Sequence, residues 1–147
     1  MFTSSTAPGL GALVLGAVLL AAGPGRAQSL DGTWQGRLRC EAAGTLGALS
    51  APIKLSVTGS RITYEREVRN PSNRSQVVAT ETGSGTVAPD GQVRMSGAVS
   101  GAGWRQDSSY SGRLVRPSAT LPGTITTFDR ANNAGIERRC TITVSPG

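Results

Sequence analysis

Thr33-Trp34-Gln35-Gly36-Arg37-Leu38-Arg39-Cys40 and, far along the chain, Glu137-Arg138-Arg139-Cys140-Thr141-Ile142-Thr143-Val144 decide the fold. Both stretches alternate. Trp34, Leu38 and Cys40 share one parity of the first, and Cys140, Ile142 and Val144 share one parity of the second, with polar residues between them. A period of two is that of a β-strand with one buried and one wet face. The chain's only two cysteines therefore both stand on apolar faces, one near the end of its strand and the other near the start of its own.

Working outward, the segments between these two carry the same period. Strands are expected at 33–41, 51–58, 60–68, 76–88, 92–100, 104–115, 119–127 and 136–145, with no sustained helical period after residue 28. In each, one parity collects the apolar residues: Ile53, Leu55 and Val57; Ile62, Tyr64 and Val68; Val93, Met95 and Val99; Trp104, Tyr110 and Leu114; Leu121 and Ile125. Thr58-Gly59-Ser60, Pro89-Asp90-Gly91, Gly101-Ala102-Gly103 and Arg116-Pro117-Ser118 supply tight turns, and Asn70 to Asn73 and Asp129 to Gly135 longer ones. In an eight-strand meander the first and last strands run antiparallel, and the two cysteines meet if the sheet closes on itself. An all-β, eight-stranded antiparallel up-and-down barrel satisfies parity, connectivity and a Cys40–Cys140 disulfide together. The alternative is a two-sheet β-sandwich with the same strand order. Inward glycines in Gly-x-apolar pairs, such as Gly36-Leu38 and Gly97-Val99, let such a sheet bend or leave room for a large neighbour.

The N-terminus reads differently. Leu10 to Ala22 is an unbroken run of Leu, Val, Ala and Gly, too short to span a bilayer, which needs about 20 apolar residues. It suits the core of a secretory signal with cleavage after Gly25-Arg26-Ala27, although no Lys or Arg precedes it. Residues 1–27 are thus expected to be a signal peptide and 28–147 a single β-barrel domain, periplasmic or secreted, with no membrane span in the mature chain. Export is also what makes a cysteine pair read as a disulfide.

The net charge of +6 is almost entirely Arg, with Lys54 the single lysine. A basic excess permits an anionic partner. The cations are scattered singly, however, and no DNA or RNA recognition motif accompanies them, so specific nucleic-acid binding is not expected. There is no His in the chain, which removes the usual general base and the commonest metal ligand. With both cysteines in the disulfide, neither a thiolate nucleophile nor a thiolate zinc site is expected. No Gly-x-Ser-x-Gly elbow occurs. Glu65 and Glu67 lie on an outward face between Arg61 and Arg69 and read as surface charges. The reading is non-enzymatic, with no cofactor and no metal; a hydrolase would have to work without His.

Strand alternation sorts the inward residues by end. Trp34, Val57, Ile62, Val87, Val93, Leu114, Leu121 and Val144 collect where the first strand begins, as an apolar core. Arg66, Glu81, Trp104, Gln106, Arg138 and the disulfide collect at the opposite end. Inward charges are costly unless paired or wet. Glu81 pairs with Arg66 or Arg138 at a solvated rim, or Arg66 and Arg138 meet an anionic group in a small cup with Trp104 as its flat wall. Arg suits a carboxylate, phosphate or sulfate through its planar fork of donors.

Asp31-Gly32-Thr33-Trp34 resembles the opening of calycin-type barrels, the lipocalins, avidins and small bacterial barrel inhibitors, which begin their first strand with Gly-x-Trp. The resemblance implies an eight-stranded antiparallel barrel. Those families also set an Arg from the last strand over that Trp, whereas a Cys40–Cys140 pairing puts Arg138 at the other end. With its leader, Gly-Thr-Trp opening and late Cys, the chain is also similar to small exported bacterial β proteins of unknown function.

Two functions follow as expectations. One is a binding module for a small anionic or amphipathic ligand at the polar end, through Arg66, Glu81, Trp104, Gln106 and Arg138. The other is a periplasmic protein-binding or inhibitor scaffold acting through loops 42–50, 69–75 and 129–135, all at that same end. Interior space separates them, because a ligand carrier needs a chamber of about 300 Å³ or more.

Overall fold

The computed structural model describes residues 28–147; the expected signal peptide, 1–27, lies outside them. Eight antiparallel strands form a closed barrel, each paired with its neighbours in sequence and the last with the first. They are β1 (Gly32–Cys40), β2 (Leu49–Thr58), β3 (Arg61–Arg69), β4 (Val77–Val87), β5 (Gln92–Gly101), β6 (Trp104–Arg113), β7 (Ala119–Asp129) and β8 (Gly135–Pro146). The closed barrel, not the sandwich, is the architecture. Each expected segment holds one strand, and the differences lie at the ends. β2 starts earlier because Leu49 pairs with Cys40, and β8 runs on because Pro146 pairs with Trp34. β6 stops earlier because the Leu114 N–H leaves the ladder and donates to Gly91 O at 2.8 Å.

The seam between β1 and β8 runs from Trp34 opposite Pro146 to Cys40 opposite Cys140. Cys40 and Cys140 form the disulfide, with Cα atoms 4.0 Å apart. At the middle of the seam a Cβ on Gly36 would overlap the Thr143 carbonyl oxygen and the Val144 Cα. Glycine is what lets the two strands come together there.

Inside, the expected parity holds. Trp34, Leu38, Leu55, Ile62, Val93, Leu114, Leu121, Ile125, Ile142 and Val144 are fully buried. Outward positions are mostly Ser, Thr and Arg, and they are exposed or half-exposed. A polar outside around an apolar inside is the reverse of a lipid-embedded barrel. Among the described residues no helix is long and apolar enough to cross a membrane.

The two ends differ. Where β1 begins, the turns are short, at residues 59–60, 88–91 and 114–118. Residues 28–31 close that end. Trp34 Nε1 donates to Leu30 O at 2.9 Å, and the Gly59 N–H donates to Asp31 Oδ1 at 2.8 Å. Arg116 lies over the Trp34 ring, 5.3 Å from its centroid, and donates from Nε to Ser29 O at 3.2 Å. The opposite end carries the longer loops, residues 41–48, 70–76 and 130–134, beside the tight β5–β6 turn.

A disulfide is a product of an oxidising, non-cytoplasmic compartment. The Cys40–Cys140 link spans 100 residues. Closing a loop of that length removes about 4.7 kcal/mol of unfolded-state entropy. Cys40→Ala/Cys140→Ala is therefore expected to lose about 3–5 kcal/mol of unfolding free energy in urea titration, and reductant should have no effect on that variant.

Candidate functional site

The inward residues of the loop-bearing end are polar, and strands β3, β4 and β6 bring most of them together. Arg66 on β3 stands opposite Glu81 on β4 in the ladder. The Arg66 Nη2 makes an ion pair with Glu81 Oε2 that lies off the hydrogen-bond axis, and it also donates to Gln106 Oε1 at 3.0 Å. Gln106 Nε2 passes the chain on to Thr127 Oγ1 at 3.2 Å. The other Glu81 oxygen, Oε1, accepts from the Tyr64 hydroxyl at 2.6 Å and from the Ser108 hydroxyl. Ser108 in turn lies 2.6 Å from Tyr64 Oη. Glu81 is 0 % exposed and Arg66 3 %. Pairing and hydrogen bonding are what allow such charges to be buried at all.

Two glycines make this arrangement possible. Gly83 on β4 and Gly97 on β5 face each other in register, and the Tyr64 ring lies across both. A Cβ on Gly83 would overlap the Tyr64 ring, and one on Gly97 would overlap its hydroxyl. Tyr110 meets the Tyr64 ring edge-on, with centroids 5.7 Å apart and planes at 87°. The two aromatics thus form a floor that separates the polar end from the apolar core.

Arg138 and Trp104 stand apart from the ion pair. Arg138 on β8 is 7 % exposed and donates from Nη1 to Gly47 O at 3.1 Å, tying the β1–β2 loop to β8. It has no carboxylate within ion-pair reach among the described residues. Trp104, the expected flat wall, packs on Gly101 of its own hairpin and is half-buried at the rim. The strand-end position explains this: Trp104 opens β6 directly after the turn, so its ring covers the turn and not the interior.

Of the alternatives at this end, the Glu81–Arg66 pair is the one present, and it is buried instead of wet. Two partners of Glu81 carry no distinct signal in the sequence: Tyr64 shows only the apolar parity of its strand, and Ser108, at inward parity between Gln106 and Tyr110, is one serine among many. Nor does a strand pattern mark Arg116, which lies over the Trp34 ring from the β6–β7 turn.

Concave spaces of about 430 and 420 Å³ both lie outside, in open grooves between outward hydroxyls of β2–β5 and of β4–β7. No cluster of three metal-ligating acidic or sulfur side chains forms among the described residues.

Burial, and then the charge on Glu81, push the Tyr64 and Tyr110 hydroxyls well above the ordinary tyrosine range. These are the only two tyrosines in the chain. Above about pH 10 the unfolded chain sheds both phenolic protons while the barrel keeps them. The folded state then binds more protons, so stability is full below about pH 10 and falls above it, by up to about 2.7 kcal/mol per pH unit for two groups. Ultraviolet titration should show no tyrosinate until the barrel unfolds, and then both at once. Glu81→Gln strands Arg66 in the interior and is expected to cost about 3–5 kcal/mol in the same urea titration.

No family model matches this chain, and no curated protein or solved structure matches it significantly.

Proposed function

We propose that this is an exported, non-enzymatic binding module of the periplasm or extracellular medium that takes another protein on its loop-bearing rim, with the barrel as a rigid scaffold. The observation that carries this reading is where the aromatic side chains lie. Trp34, Tyr64 and Tyr110 are consumed by the core, whereas Trp104 and Phe128 stand half-exposed on neighbouring strands at the loop end, Trp104 on the inward side of the rim and Phe128 on its outward side. Arg105 lies over the Phe128 ring, 4.3 Å from its centroid, and half-buried Ile136 and Leu46 extend the same rim. Trp and Arg anchors ringed by polar loops are the composition of interface hot spots.

A closed scaffold also suits this role better than that of a carrier. A small-molecule carrier needs a chamber of about 300 Å³ or more. Here the inward positions at this end are occupied by side chains, Arg66 paired with Glu81, and Arg138 bonds Gly47 of the β1–β2 loop. Loop movement would be needed to admit an organic ligand, while a protein partner needs only the surface already presented.

Immobilised protein, exposed to envelope or medium extract of its source, should retain a partner through the rim. Trp104→Ala/Phe128→Ala should weaken that interaction by about 2 kcal/mol or more, roughly thirty-fold in Kd. Arg61→Ala/Arg94→Ala, on the outer wall toward the opposite end, should leave it unchanged. Equal loss in both variants, or retention in the rim variant, would remove the rim from the account.

A further inference from the structure

The polar end buries two guanidinium groups and one carboxylate. Glu81 spends one oxygen on Tyr64 and Ser108 and the other on Arg66. That leaves Arg138, more than nine-tenths buried, as a cation whose only hydrogen-bond acceptor among the described residues is the Gly47 carbonyl. Arg66 makes matters worse for it. Burial first, and then the nearby Arg66 charge, lower the Arg138 pKa, and both arginines act electrostatically on Tyr110. Four polar atoms of this cluster have no hydrogen-bond partner among the described residues: Arg66 Nε, Arg138 Nε, the Tyr110 hydroxyl and Glu81 Oε2, the last held only by its ion pair with Arg66. The first three can donate, and the two guanidinium nitrogens cannot accept. Uncompensated buried charge of this kind is expensive.

We propose that a small inorganic monoanion of chloride size binds at this end of the barrel, between Arg138 and Arg66 with the Tyr110 hydroxyl as a further donor, beneath residues 41–48. An anion supplies the missing charge and accepts from several donors without a directional demand. A water molecule would accept hydrogen bonds but leave the excess charge in place. The size follows from the burial: Arg138 is 7 % exposed and bonded to Gly47, which suits a halide and leaves a phosphate or an organic carboxylate outside. Because Arg138 also holds Gly47, the bound ion stabilises the loop arrangement that forms part of the rim. The inference is independent of whether that rim takes a protein.

Thermal unfolding in sodium chloride against sodium gluconate, at matched ionic strength, tests it. The protein is expected to gain several degrees in Tm with chloride, saturating as a single site does, and bromide should substitute. Arg138→Gln should unfold at the same temperature in both salts. If that variant does not fold, the chloride NMR linewidth of the wild-type protein decides instead: it should broaden in proportion to protein and sharpen when bromide is added. Equal Tm in the two salts, or a chloride effect that survives in Arg138→Gln, would overturn the proposal, the second because it would mark general screening of a basic surface. Absence of line broadening would overturn it equally.

Discussion

Everything in this molecule depends on β8 pairing with β1. Closure converts an alternating meander into an object with an inside, and it removes the two free edges that an open sheet would present. Local chemistry secures it at two points. Cys40 and Cys140 are locked side by side at one end of the seam, and Gly36 lets the Val144 segment lie against β1 near its middle. Once the seam is made, every inward side chain must find its partners among other inward side chains. The apolar half does so by packing around Trp34, and the polar half does so by building a bonded cluster.

That cluster illustrates how closure limits function. An inward Glu and two inward Arg read as an invitation to a ligand if the barrel mouth is open. With residues 41–48 tied to Arg138, the same groups face one another instead, and Glu81 becomes the hub for Arg66, Tyr64 and Ser108. The facing glycines Gly83 and Gly97 let the Tyr64 ring lie flat enough to reach it. The charges thereby serve the architecture first. What they leave over is one cation, Arg138, and a rim above it with aromatic side chains the core did not use.

Much of the fold was legible because a period of two is a local signal and each strand repeats it. The parity of Ile53, Leu55 and Val57 or of Cys140, Ile142 and Val144 needs no knowledge of the partner strand. The disulfide added the one long-range constraint, and it sufficed to favour closure over a sandwich. The inward set Arg66, Glu81, Gln106 and Arg138 also followed from parity. What parity could not convey is reach along the barrel axis and the path of loops. Tyr64 appears in the sequence as one more apolar position, and only the absent Cβ atoms of residues 83 and 97, distant in sequence, reveal where its hydroxyl goes. Trp104 has inward parity but sits one residue from a turn, where inward no longer means inside. Arg116 covers Trp34 from a turn, which no strand pattern marks.

The central claim is that this barrel is filled by its own side chains and works through its rim. Native mass spectrometry of the protein purified from its own source tests that most directly. The account predicts the polypeptide mass less the hydrogens of one disulfide, with no organic adduct on the isolated protein. A stoichiometric organic molecule that stays bound through purification would contradict it, because such a ligand needs a binding chamber of its own.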